Sequence, residues 1–269
     1  STLSKELENC YEWLVDNKLS LHLGKTECIV FCSKRKSKTV KDFYITCKDT
    51  KIKAQDSVKY LGAMLDKNLS GENIVVNIIK KANAKLKFLY RQAQFLNECS
   101  KKTLCSALVL CHLDYASSAW YTSLTKQSKY RLQVTQNKCI RYIRDMGPRS
   151  HIGCTELENA GMLSINHRMS QLRLNLAHKI YYGSAPAYLS GNFVKIGHSY
   201  NTRFSCNNFQ VPHITGCMNE TFYYNAIKDW NALPNHVKCI ESKDNFKFTV
   251  KKHLFNIARQ EEESEFLYY

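Results

Sequence analysis

The sequence predicts a mainly α-helical chain with a small N-terminal α/β piece, and three observations carry that reading. Ten glycines and four prolines in 269 residues are too few for a turn-dense β-sandwich. Beyond residue 70, apolar residues recur at spacings of three and four, whereas polar and apolar residues alternate mainly before it. A hydrophobic fraction of 44% supplies a packed core and excludes intrinsic disorder.

From Leu3 to Leu14 the apolar residues Leu3, Leu7, Cys10 and Leu14 stand at helical spacing among Lys5, Glu6, Glu8 and Glu12, which predicts an amphipathic helix. Leu19, Leu21 and Leu23 alternate with polar neighbours, and Cys28 to Cys32 is an apolar run. Together they predict a strand pair, or a strand with a turn at Gly24. Lys34-Arg35-Lys36-Ser37-Lys38 reads as a basic loop. Phe43, Ile45 and Cys47 alternate again, and Val58 to Leu65 supplies a further short strand ending near Asp66.

Ile74, Ile78, Ala82, Leu86, Leu89, Ala93 and Leu96 form one apolar stripe and predict a helix over 74–96. Lys80, Lys81, Lys85, Lys87 and Arg91 fall mainly off the stripe, and no acid lies between Glu72 and Glu98. Helices over 103–119 and 126–144 follow, closed by Gly147-Pro148, so that 71–146 reads as a three-helix unit. Met162 to Tyr182 is helical again and breaks at Gly183-Ser184-Ala185-Pro186; Ser190 to Asn219 is polar and reads as loop. Phe222 to Trp230 and Lys243 to Ile257 predict the last helices, and Glu261 to Glu265 a solvated acidic end. The expected domains are 1–70, 71–150 and 151–269.

The formal charge is +16, and residues 71–150 hold 14 basic against 4 acidic side chains. Such a concentration reads as the footprint of a polyanion, or as a merely soluble helix surface. Twelve cysteines spread through apolar segments read as reduced, mostly buried thiols, implying an intracellular protein of nucleus or cytoplasm. No apolar run exceeds five residues, so no membrane partner is expected.

Six strings in order resemble the downstream part of a LINE-type, jockey-like non-LTR retrotransposon reverse transcriptase. Trp13, Asn17, Leu19, Leu21, Lys25-Thr26 and Ile29-Val30-Phe31 resemble the segment around polymerase motif D, with His22 where Asn is usual. Val58-Lys59-Tyr60-Leu61-Gly62 with Leu65-Asp66 resembles the primer-grip hairpin. Leu113-Asp114-Tyr115 to Trp120 with Gln136-Asn137-Lys138 and Arg141, then Lys179 to Leu189, His198 to Arg203, and Phe222 to Pro234, resemble the regions beyond.

The resemblance implies residual palm strands, a helical thumb bundle and a helical C-terminal domain. Its implied partners are an RNA or RNA–DNA hybrid template-primer and the upstream palm. Lys25 would be the motif D lysine acting on departing pyrophosphate, or else a surface lysine at a strand end. Lys59, Tyr60, Leu61 and Gly62 would form a hairpin approaching the primer end, or else an ordinary buried strand. Lys80, Lys81, Lys85, Lys87 and Arg91 would face phosphates from the thumb.

Nucleotide transfer needs carboxylates holding two Mg2+ ions, yet no two aspartates are adjacent here. The catalytic strands are therefore expected upstream of Ser1. The fragment is expected to be inactive alone and to have no metal or cofactor of its own. Cys28-x3-Cys32, Cys99, Cys105, Cys111, Cys206 and Cys217 lack the paired spacing of a zinc site. His112, His151, His167, His178 and His253 read as surface or core residues, and Phe88, Tyr90 and Tyr142 as core packing more than base-stacking platforms. A remnant or helical protein-interaction module without a nucleic-acid role is the alternative.

Overall fold

A computed structural model describes residues 2–33, 36, 42–196, 207–213 and 216–266. It is mainly helical with a small five-stranded β portion, and it divides into two compact units, Ser1–Ile74 and Val75–Tyr269. Residues 75–150 and 151–269 share the second unit.

In the first unit, α1 (Thr2–Asp16) precedes β1 (Cys28–Ile29), β2 (Tyr44–Cys47), β3 (Thr50–Gln55), β4 (Ser57–Tyr60) and β5 (Ala63–Asp66). β3 lies between β1, to which it is parallel, and β2, to which it is antiparallel; β4 and β5 form a separate hairpin. The Thr46 N–H donates to the buried Ser4 Oγ at 3.1 Å and pins α1 to β2. Leu7, Tyr11 and Leu14 share that packed face, while the expected core residues Leu3 and Cys10 are exposed.

The strand expected over Leu19–Leu23 is absent. Lys18 adopts φ 58 and the Leu19 N–H reaches back to the Leu14 carbonyl at 2.8 Å, closing α1, after which Leu23–Lys25 is a 3-10 turn. β3 is a strand that alternation does not predict; its Ile52 is buried between exposed Lys51 and Lys53. The stretch Val58 to Leu65, which alternation reads as one strand, folds back on itself at Leu61-Gly62. Of Lys34-Arg35-Lys36-Ser37-Lys38 only Lys36 is among the described residues, in a turn.

α2 (Glu72–Tyr90) is followed by α3 (Glu98–Cys105), a π turn (Ser106–Leu110), α4 (Cys111–Asp114), α5 (Ser117–Trp120) and α6 (Lys126–Ile143). Ala116 at φ 50 breaks the helix expected over 103–119. Then come α7 (Cys154–Asn159), α8 (Ile165–Tyr181), α9 (Ala187–Ser190), α10 (Phe222–Ala232), α11 (Asn235–Lys238) and α12 (Lys243–Phe266). Caps fix several starts: the side chains of Asn97, Thr125, Ser164 and Thr221 each accept a backbone N–H from three residues on.

Leu174, Ala177, Ile180, Trp230, Phe246 and Val250, from α8, α10 and α12, build a hydrophobic core. Trp230 is fully buried, its Nε1 donating to the Asn207 carbonyl at 2.8 Å. Asn231 pairs with both backbone groups of Phe209, accepting from its N–H at 2.9 Å and donating to its carbonyl at 2.8 Å. Buried Lys238 donates to Asn208 Oδ1 at 2.7 Å and to the Asn231 carbonyl at 3.0 Å. The Trp230-Asn231-Ala232-Leu233-Pro234 string is thus an architectural node.

The acidic end continues α12, with Glu261 and Glu263 exposed as expected. Glu262 Oε1 accepts the Cys154 N–H at 3.1 Å, and Glu261 Oε2 stands 3.4 Å from His167 Nε2. His198 to Arg203 and Cys206, and the Cys217 side chain, lie outside the described residues.

Candidate nucleic-acid interface

On α2 the buried stripe is Val75, Ile78, Ala82, Leu86 and Leu89. Around the rest of the helix Lys80 and Lys87 on one flank and Lys81 and Lys85 on the other are exposed, and none forms an ion pair among the described residues. Phe88 is 56% exposed. Burial first, then the charges of Lys81 and Lys85, pull the His112 imidazole below its usual pKa.

Two expectations change here. The helix ends at Tyr90, because a 3-10 turn at Ala93–Phe95 and extended Leu96 lead into Asn97, which caps α3. Arg91 is exposed, but it stands one residue past the helix. Among the three aromatics expected in the core, only Tyr142 is buried; Tyr90, 51% exposed, meets it edge-on with centroids 5.0 Å apart.

Much of the remaining basic excess of this region is structural. Lys101 pairs with Asp145, and Arg144 with Glu98 at 2.9 Å. Arg141 gives two hydrogen bonds to the Ser150 carbonyl, at 2.9 and 2.8 Å, and Lys138 donates to Asn83 Oδ1 at 3.1 Å. Half-buried Lys129 stands 5.1 Å over the Tyr121 ring, its pKa lowered chiefly by burial. Four exposed lysines lie within eight residues on α2, whereas exposed Arg91, Lys102, Lys126 and Arg149 are scattered along the region.

In the first unit, Lys59, Tyr60, Leu61 and Gly62 form the exposed tip of the β4–β5 hairpin. Leu61 (φ 45) and Gly62 (φ 87) are both left-handed, as a two-residue type I′ turn requires. Glycine takes that geometry freely, whereas leucine strains to do so and here is 74% exposed. Buried Asp66 shapes the segment after the hairpin, accepting the N–H groups of Asn68, Ser70 and Gly71 at 3.0, 3.0 and 3.1 Å. Lys25 ends the 3-10 turn, exposed.

Among the described residues no group of three His, Cys, Asp or Glu stands close enough to hold a metal. This donor set does not fit the paired Mg2+ that the resemblance implies for a parent enzyme. Cys154, Glu158, His151 and His167 are among the residues lining a cleft of about 750 Å³. Burial, then the hydrogen-bonded Glu262, push the Cys154 thiol up to about 11, so it stays protonated near neutrality and is a poor nucleophile. No described helix is long and apolar enough to cross a membrane.

No family model, curated protein or solved structure matches this chain.

A second cationic group, which sequence reasoning misses, lines a smaller cavity: Lys102, Arg168 and Lys251. These residues sit on three helices distant in sequence, so no local motif signals them.

Proposed function

We propose that this chain is the C-terminal part of a jockey-like non-LTR retrotransposon reverse transcriptase and holds RNA or an RNA–DNA template-primer by its phosphates. The exposed lysines of α2 carry the reading. Four exposed ammonium groups, unpaired with any acid among the described residues, stand on both sides of exposed Phe88 around α2 and offer sequence-independent phosphate contacts beside an aromatic surface. The ordered strings add the family. In that family's terms β4–β5 is the primer grip, and the bare backbone at Gly62 suits close approach to a primer end.

Lys25 would act on pyrophosphate only in an intact enzyme, whose Mg2+ carboxylates belong to an upstream palm. Leu3 and Trp13, 60% and 62% exposed on α1, favour a protein partner for the first unit, and that palm is the partner the resemblance implies. The test is binding of a labelled RNA–DNA hybrid at low salt. Replacing Lys80, Lys81, Lys85 and Lys87 with alanine should weaken binding by at least about tenfold. Equal binding, or protein capture that survives nuclease with no hybrid bound, would favour the interaction-module alternative.

A further inference from the structure

The second unit holds a cavity of about 270 Å³ whose titratable lining is Lys102, Arg168, Lys251 and Asp114. Three cations against one acid leave it net positive. Asp114 is already engaged: Arg168 grips both its oxygens, Nη2 at 2.7 Å and Nε at 3.2 Å, and reaches Gln171 Oε1 at 2.6 Å with its remaining arm. The two lysines have no acid partner among the described residues.

Both lysines converge on one residue, Gly161. Lys251 Nζ donates to the Gly161 carbonyl at 2.7 Å, and Lys102 Nζ lies 2.9 Å from where a Cβ on Gly161 would stand. Gly161 is at φ +64, a conformation that suits glycine. Any side chain there would displace the Lys102 ammonium. Two like charges brought together without a counterion repel, and Lys251 feels it: burial, then Lys102 and Arg168, lower its pKa. Ser106 and Gln136 supply further polar groups on the wall.

We infer that this cavity is an anion site for a phosphate monoester group, held by Lys102 and Lys251 across Gly161 with Arg168 at its side. A phosphate dianion matches the uncompensated charge of the two lysines, and its several acceptor oxygens meet ammonium donors from different directions. Lys102 is exposed, so the group would enter past its side chain. A free phosphate and the terminal phosphate of a nucleic acid share this chemistry.

Calorimetric titration of the full chain at low ionic strength tests the assignment, with inorganic phosphate, a nucleoside monophosphate, and one short oligonucleotide with and without a 5′-phosphate. Binding of phosphate is expected, and Lys102→Gln should weaken it about tenfold, the effect of one charge-assisted contact. The Lys102 side chain is exposed and its charge only repels Lys251, so the unliganded variant should melt no lower than the wild type. Preference for the 5′-phosphorylated oligonucleotide would make a nucleic-acid end the source of the group; equal affinity of both oligonucleotides, with phosphate still bound, would make it a free phosphate. Absence of phosphate binding, or unchanged binding by Lys102→Gln, would overturn the site. Substituting the α2 lysines should leave phosphate binding intact, so this site can fail while the α2 interface stands, and the reverse.

Discussion

Lys101 Nζ lies 2.5 and 2.6 Å from the two carboxylate oxygens of Asp145, joining the start of α3 to the turn after α6. The pair is asymmetric. The lysine side chain is 4% exposed and the aspartate 71%. Removing the acid strands a buried ammonium, whereas removing the lysine returns a carboxylate to water. Asp145→Asn should therefore cost about 1–3 kcal/mol and Lys101→Met less than about 1 kcal/mol, read from urea midpoints at unchanged m. Equal losses would contradict the asymmetry.

Asn231 is expected to be as important to the second unit as a large apolar residue. Asn231→Leu leaves the N–H and carbonyl of fully buried Phe209 without their partner, which should cost about 2–4 kcal/mol. A loss comparable to that of a substitution on the exposed surface would show that water replaces the side chain.

Stability should fall on mild acidification. His178 stacks on Phe246, and its Nε2 lies 2.7 Å from the Ile240 carbonyl, which can only accept, so this nitrogen carries the proton of a neutral ring. Burial holds the folded pKa below the usual value, as it does for His112 and His253. As pH drops through about 6.5 the unfolded chain takes up protons first, so stability present above that pH is lost as the pH falls toward the depressed folded values. Urea midpoints measured from neutral to mildly acidic pH should decline, and those of His178→Gln should decline less. Parallel curves would remove His178 from the explanation.

At the hairpin tip, Leu61→Asn should stabilise the first unit by about 1 kcal/mol, since asparagine accepts the left-handed conformation more readily than leucine. Hydrogen exchange of the β4–β5 amides would detect it. No added protection would mean that leucine carries little strain there.

Helical spacing locates α1, α2, α6, α8, α10 and the beginning of α12, most plainly α2, which buries one stripe, while α8 is buried on several sides. It overruns where a turn competes: α2 stops at Tyr90 because Asn97 starts the next helix, and Ala116 breaks the run before α5. β3 escapes a search for alternation because its only deeply buried apolar side chain is Ile52. The last turns of α12 are illegible in sequence because their support, Cys154 and His167, lies about a hundred residues earlier. The α2 lysine cluster is readable because its charges are neighbours in sequence. The Lys102, Arg168 and Lys251 cavity is not, since only the packing of three helices brings them together.

Binding of nucleic-acid phosphates by α2 remains the proposal on which the interface stands or falls. Its most direct measurement is the affinity for an RNA–DNA hybrid as salt rises, for the wild type and for Lys80, Lys81, Lys85 and Lys87 changed together to Glu. Each phosphate that a lysine no longer neutralises makes the slope of log affinity against log salt shallower by about 0.9. A wild-type slope steeper than the variant's by about 3 to 4 is predicted. Identical slopes, or no binding by the wild type at low salt, would contradict it.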